Sequence, residues 1–381
     1  MIMTQLVGTV PAPSVHADLH SEFGARPGDP DDRHRSPVIK VIDIAWLEFE
    51  KQNLADAERF ARDFGFTVAN RTADRLELRG TWAGAPCVLI RRARRSRFVG
   101  PAYRAESTTD LTTLAEATGT RVHSLGDLGG SVVDLVDPSG QPLRVVADLF
   151  DLPSLPDQEP LTVNAGGKVA RFNAIQRPPR APARVQRLGH VVIESPRFRE
   201  ALHWYQSVLG FIVSDFQFFP GQRDRGPTMA FMRCDRGADA ADHHTLAMTL
   251  GPRARYVHSA YQVADLDAVA AGGAYLADRG YHHAWGMGRH IQGSQIFDYW
   301  RDPDKFMVEH YADGDVFDNS VTAGWAPMTA SGLSQWGPPV TRDFLGANPD
   351  PDLVKGILNG LRDDNEFDIH RLLGLLKVAR S

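Results

Sequence analysis

The chain has 381 residues, 43% of them hydrophobic and 23% charged, with a formal net charge of -5; at roughly 150 residues per domain this is a globular protein of two to three units, each able to bury a core. The acidic balance argues against a dedicated nucleic-acid binder, and no apolar run reaches the ~18 residues of a membrane helix. Two cysteines, Cys87 and Cys234, are too few for a disulfide framework or a Cys-only metal site, and with no signal-peptide pattern at the N-terminus a cytoplasmic protein is expected.

Residues 1–38, rich in Pro, Asp, Arg and His, show no sustained periodicity and read as a flexible arm. A strand follows over Val41–Glu50. Leu54, Ala57, Phe60, Ala61 and Phe64 then recur at helical spacing, with Gly65 as the stop. Strands at 74–79, 86–92, 131–137 and 142–148, the last two joined by the turn at Asp137-Pro138, complete a first domain over 39–152. A Pro- and Arg-bearing linker spans 153–183.

In the second domain, 184–315, the order returns: a strand at Leu188–Glu194, a helix at Phe198–Leu209 stopped by Gly210, and strands at 228–233, 244–250, 256–263, 295–301 and 306–311. Sliding the chain by 145 sets Phe64-Gly65-Phe66 on Leu209-Gly210-Phe211, and by 165 sets Asp137-Pro138 on Asp302-Pro303. The fold expected is therefore α+β, with two copies of one β-α-β-β-β module. The tail, 316–381, is turn-rich around Trp325 and Trp336. It ends in one or two helices, first through Leu353, Ile357 and Leu361, then through Phe367, Leu372, Leu373 and Leu376; it would cover a site mouth, a subunit interface or exposed core.

Nine of the fourteen histidines fall between positions 190 and 310. Three side chains there have metal-ligand chemistry and lie in strand-like runs: His190, His258 and Glu309. Two imidazoles and a carboxylate on one face of an ion leave open positions suited to non-haem Fe(II) and dioxygen, whereas a structural zinc site is closed and usually carries cysteine. Alone, each of these residues is more often a packing residue than a ligand.

The two-copy architecture and these three strands resemble the vicinal oxygen chelate superfamily. The second copy resembles its type I extradiol ring-cleaving dioxygenases, which split catechols beside the two hydroxyls. The resemblance covers roughly 39–315 and implies that His190, His258 and Glu309 hold Fe(II), with Mn(II) as the alternative ion. It implies further that His244, fourteen residues before His258, is the acid-base histidine. His290, in Gly286-Met-Gly-Arg-His, would face the substrate, and Tyr299, ten residues before Glu309, would be the active-site tyrosine. The expected product is of the hydroxymuconic semialdehyde type. The partners implied are an aromatic diol and O2, in a homo-oligomer that binds neither nucleic acid nor membrane.

The first copy is an internal control. Under the slides, Ala45 (or, with a slip of one, Ile44 or Trp46) faces His190, Arg144 faces Glu309, and the window matching His258, Ala93–Thr113, holds no histidine. One metal site is expected, in the second copy. His243 and His310 should point away from it by strand parity, His282 and His283 fall in a loop, Gly272-Gly273 in a turn, and the arginines between Arg91 and Arg97 on a solvated strand edge or a subunit contact. The apolar residues near the site in sequence, Trp285, Phe218, Phe219, Phe231 and Met248, fit pocket wall and core equally well. Two other readings stay open: a keto-acid dioxygenase, isomerase or epimerase on the same module, and a non-enzymatic protein that sequesters a small aromatic ligand.

Overall fold

The computed structural model describes residues 24–346 and 366–378. The first sheet is built from β1 (Val41–Lys51), α1 (Leu54–Phe64), β2 (Thr67–Arg71), β3 (Arg75–Arg79) and β4 (Val88–Arg92), then β5 (Arg97–Ala105), α2 (Thr108–Thr118), β6 (Val122–Ser124), β7 (Ser131–Val136) and β8 (Pro142–Ala147). Its strand order, β2-β3-β4-β1-β5-β8-β7-β6, places two β-α-β-β-β units side by side, joined where β1 pairs antiparallel with β5.

The second sheet repeats this with β9 (Arg187–Ser195), α3 (Phe198–Leu209), β10 (Ile212–Phe218), β11 (Met229–Arg233), the short β12 (Ala241–Asp242) and β13 (Leu246–Leu250). It continues with β14 (Arg255–Gln262), α4 (Leu266–Asp278), β15 (His282–His290), β16 (Ile296–Arg301) and β17 (Met307–Ala312). In the tail, β18 (Val316–Phe317) pairs with β12, while β19 (Gly324–Pro327) and β20 (Ser334–Trp336) extend the sheet beside β10 and β15; α5 spans Ile369–Val378. The helix expected through Leu353, Ile357 and Leu361 lies outside the described residues, as does the arm before residue 24. No helix among the described residues is long and apolar enough to cross a membrane.

The tandem α+β architecture is the expected one, and each copy holds two β-α-β-β-β units. Strands β2, β5, β6 and β10 have no counterpart in the sequence reading, and three further elements differ from it. In α2, five threonines blur the apolar stripe, and the helix is announced instead by a capping box between Ser107 and Asp110. Gly272 and Gly273 lie within α4, not in a turn. There a Cβ would come within 2.7 Å of Ala183 and 2.5 Å of Asp298, so the glycines let the helix pack closely. The histidine pair at 282–283 opens strand β15, not a loop.

The two modules interlock by a repeated device. Gly65 ends α1 at φ 110° and Gly210 ends α3 at φ 72°. The Val185 amide, entering the second module, donates to the Gly65 carbonyl, and the Ile39 amide, entering the first, donates to Val208 at the end of α3. The approach is so close that a Cβ on Gly65 would sit 1.6 Å from the Ala183 carbonyl oxygen. The Asp-Pro turns are exchanged likewise: Asp302 pairs with the buried Lys51, and Asp137 accepts from the Tyr205 hydroxyl at 3.1 Å. A continuous apolar core runs between the modules, with Phe49 packed edge-on against Tyr256 and Phe306. Residues 24–38 have little regular structure but are pinned to the second module. The Val213 amide donates to the Asp32 carbonyl, and Arg33 donates to the Asn319 carbonyl.

Candidate metal centre

β9, β14 and β17 lie side by side near the middle of the second sheet, and their register assembles the centre. Ala260 on β14 stands opposite His190 on β9 and opposite Glu309 on β17; Glu309 in turn stands opposite Tyr299 on β16. Opposed residues share a face, so His190, Ala260, Glu309 and Tyr299 form one row across four strands. His258, two residues before Ala260, joins that face. Residues scattered over 120 positions of sequence (190–309) thus converge because of pairing, with only the Ala260 methyl between the first histidine and the carboxylate.

Among the described residues, one group of side chains could share a metal ion: His190, His258 and Glu309, whose donor atoms all lie within 4.8 Å of one another. His190 Nε2 is 3.5 Å and His258 Nε2 3.4 Å from Glu309 Oε2. All three residues are buried, and neither carboxylate oxygen of Glu309 has a hydrogen-bond partner. Burial pushes the Glu309 carboxyl up to about 8 and His190 down to about 3, and drives His258 well below the ordinary imidazole range. A buried carboxylate with unpaired oxygens costs several kcal/mol unless a cation compensates it. Two imidazole nitrogens and two orphaned oxygens aimed at one point fit a divalent ion.

The other three expected residues border this group. The His244 ring lies 4.0 Å from the His190 ring, and burial holds it well below its ordinary pKa. His290, at the end of β15, places Nδ1 2.8 Å from the Leu333 carbonyl and Nε2 2.8 Å from the Tyr299 hydroxyl; its Nε2 is 4.0 Å from Glu309 Oε1. A carbonyl only accepts, so the His290 proton sits on Nδ1 and its Nε2 accepts the Tyr299 hydroxyl proton. Tyr299 packs face to face with Trp285 at 5.8 Å and edge-on against Phe344 at 4.8 Å. The open question over the apolar residues resolves. Trp285 and Phe231 touch the site, Phe231 lying edge-on to His244, while Phe218, Phe219 and Met248 are core.

His310 points away as parity requires and bonds the Phe64 carbonyl of the first module at 2.7 Å. His243 is a correction. Residues 243–245 are bent rather than extended, so alternation fails, and His243 Nδ1 meets His244 Nδ1 at 3.0 Å while its Nε2 meets Asp215 Oδ2 at 2.7 Å. Asp215, Leu333 and Phe344 were not foreseen. Asp215 lies in a wholly buried strand with nothing in the local pattern to mark it, and the other two come from a tail with no periodic signal. That tail walls the site: β20 pairs with β15 beside His290, and the Trp285 indole donates to the Pro338 carbonyl.

The first module keeps the row and loses the donors. Trp46 stands opposite Ala102, which stands opposite Arg144. The row therefore matches His190, Ala260 and Glu309 with Trp46, Ala102 and Arg144, and Gly100 takes the place of His258. The Trp46 indole donates to Glu48 at 2.9 Å, and Arg144 pairs with Glu48 and Asp134.

The sequence profile of the family described as "Glyoxalase/Bleomycin resistance protein/Dioxygenase superfamily" matches residues 187–310, the module that carries the triad. Metapyrocatechase 2 of Cupriavidus necator is 30% identical over 328 residues, covering 83% of this chain and 97% of that protein. The homoprotocatechuate 2,3-dioxygenase substrate complex from Brevibacterium fuscum shares the fold with a TM-score of 0.66 at 17% identity, over 83% of this chain and 95% of that one. The Mn(II)-bound glyoxalase of Novosphingobium aromaticivorans does so with a TM-score of 0.65 at 24% identity, over 82% and 95%. With a metapyrocatechase relative matched over nearly its full length, this chain belongs to the type I extradiol ring-cleaving dioxygenases of the vicinal oxygen chelate superfamily, and it is an oxidoreductase.

Proposed function

We propose that the protein is an Fe(II)-dependent dioxygenase, with Mn(II) as the alternative ion, that inserts both atoms of O2 into a catechol-type diol and opens the ring beside its vicinal hydroxyls. The observation that carries this reading is the convergence of the buried His190 Nε2 and His258 Nε2 on the carboxylate of Glu309, whose two oxygens lack partners. Three protein ligands leave coordination positions for both diol oxygens and O2. When bound, the metal acts as a Lewis acid that lowers the pKa of a chelated diol and brings both reactants onto one centre.

The remaining chemistry belongs to the protein. His244 is buried and neutral, so it is a base poised to take a diol proton and return it later. With its proton committed to His290, the Tyr299 hydroxyl keeps lone pairs free to accept a hydrogen bond from a substrate hydroxyl. Trp285, Phe231 and Phe344 supply aromatic walls that fit a planar ring and exclude water. The test is anaerobic Fe(II) loading followed by a panel of catechols and air. A yellow ring-opened product formed with matching O2 uptake is expected, and iron bound without turnover of any diol contradicts the reading.

A further inference from the structure

We infer that Asp215 and His243 are positioning residues that fix which nitrogen of His244 is free to take a proton. The inference rests on the proposed role of His244 and adds to it a chain of two groups lying behind that residue.

Two segments distant in sequence bring the three side chains together. His243 and His244 sit in the bend between β12 and β13. There the His243 amide donates to the Asp315 carbonyl, and its carbonyl accepts from Ser214 Oγ at 2.6 Å. Asp215 belongs to β10. It is 4% exposed and His243 only 1%, so water does not break the contact between them. Phe231 packs against both imidazoles and Phe317 against His243. Gly293 closes the remaining side, where a Cβ would lie 3.1 Å from His243 Nδ1.

Proton order follows from valence. A carboxylate offers acceptors only, so at 2.7 Å from Asp215 Oδ2 the His243 Nε2 carries hydrogen. A neutral imidazole has a single N–H, which leaves His243 Nδ1 as an acceptor. The nitrogen 3.0 Å from it, His244 Nδ1, is therefore the donor. His244 is then left with a bare lone pair on Nε2. When Nε2 takes a proton, the resulting imidazolium already has its Nδ1–H engaged, and Asp215 stabilises the charge through His243. A carboxylate behind a catalytic histidine plays the same orienting role in hydrolase triads, where its amide replacement drops kcat by about 10⁴ through the wrong tautomer. Here the orienting group acts through one more ring, so a smaller loss of about 10²-fold is expected.

The tautomers are read directly by long-range 1H–15N correlation on the full-length, metal-free protein labelled at histidine. The expected spectrum has hydrogen on His243 Nε2 and on His244 Nδ1. In Asp215→Asn and His243→Gln, kcat should fall by roughly 10–10³-fold while KM and iron content stay within about twofold. The double variant should be no worse than the poorer single one, because the two residues act as a unit. Asp215→Glu, which keeps the carboxylate, should recover part of the rate. Hydrogen on His244 Nε2 in the unsubstituted protein overturns the inference. So does kcat within twofold of normal in both single variants, or a fall in kcat that merely tracks lost iron or raised KM. If the unsubstituted enzyme turns over no diol, the ring-cleaving reading fails, while the spectrum still decides the proton order.

Discussion

Arg144 in the first module occupies the register position that Glu309 occupies in the second: each stands opposite the alanine, Ala102 or Ala260, that centres its row. The second module presents a carboxyl group whose oxygens lack partners and which becomes an anion once an ion displaces its proton; the first presents a fixed cation already paired with Glu48 and Asp134. Only one of the two rows has a charge deficit for a metal to fill.

Metal stoichiometry follows from this. One ion per chain is expected by elemental analysis. Arg144→Glu should leave that number unchanged, because Trp46 and Gly100 supply no imidazole to join the new carboxylate, and Glu48 and Asp134 beside it would add only mutual repulsion between carboxylates. Glu309→Ala should lower metal affinity by at least ~10²-fold while the fold persists. Two ions in Arg144→Glu, or full occupancy in Glu309→Ala, contradicts the assignment.

Metal affinity should rise with pH. In the metal-free protein burial pushes Glu309 up to about 8, so near neutrality it holds a proton that an incoming ion must displace, whereas His190, pushed down to about 3, offers no such competition. Calorimetry in buffers of different ionisation enthalpy should detect close to one proton released per ion at neutral pH. Affinity should climb about tenfold per pH unit from roughly 5 to 8, then level off. The folded-state value lies above the ordinary one, so the Glu309 contribution to metal-free stability is present at low pH and lost as pH rises through about 8. The stabilisation gained on adding metal should therefore widen between pH 6 and 8.

Tyr299→Phe removes the hydroxyl that faces His290 at 2.8 Å and keeps the ring packed on Trp285. Iron content and thermal stability should hold, with kcat reduced by roughly 10–10²-fold, the scale of one positioned polar group in a water-poor site. An unchanged kcat removes Tyr299 from the chemistry.

Gly65→Ala probes the interlock of the modules. It combines an unfavourable positive φ with a carbonyl oxygen 1.6 Å from the new Cβ and should cost upwards of ~2 kcal/mol. Gly119→Ala also has a positive φ but opens onto free space, so its cost should stay near ~1 kcal/mol. Denaturant titration of the pair separates contact from backbone strain. Equal losses would mean that the close approach contributes nothing.

The sequence carried much of this arrangement. Periodicity drew α1 and α3 with their true bounds because each has a clean apolar stripe and a glycine stop. The triad could be read because its members lie in recognisable strand runs. Less legible were elements whose local signal is overridden by packing: α4 with its two inward glycines, and β10, buried along its whole length and so without alternation. Parity misplaced His243 because the chain bends there, and a bend is set by partners as distant as Ser214 and Asp315. Phe344 and Leu333 reach the site only through tertiary folding of the tail.

The measurement that bears most directly on the proposed activity is turnover of a catechol by the Fe(II)-loaded enzyme under oxygen-18 gas, with mass analysis of the product. The expected result is a ring-opened acid-aldehyde carrying both labelled atoms of one O2. A product without label, or one formed with no O2 consumed, contradicts the assignment of ring-cleaving dioxygenase activity.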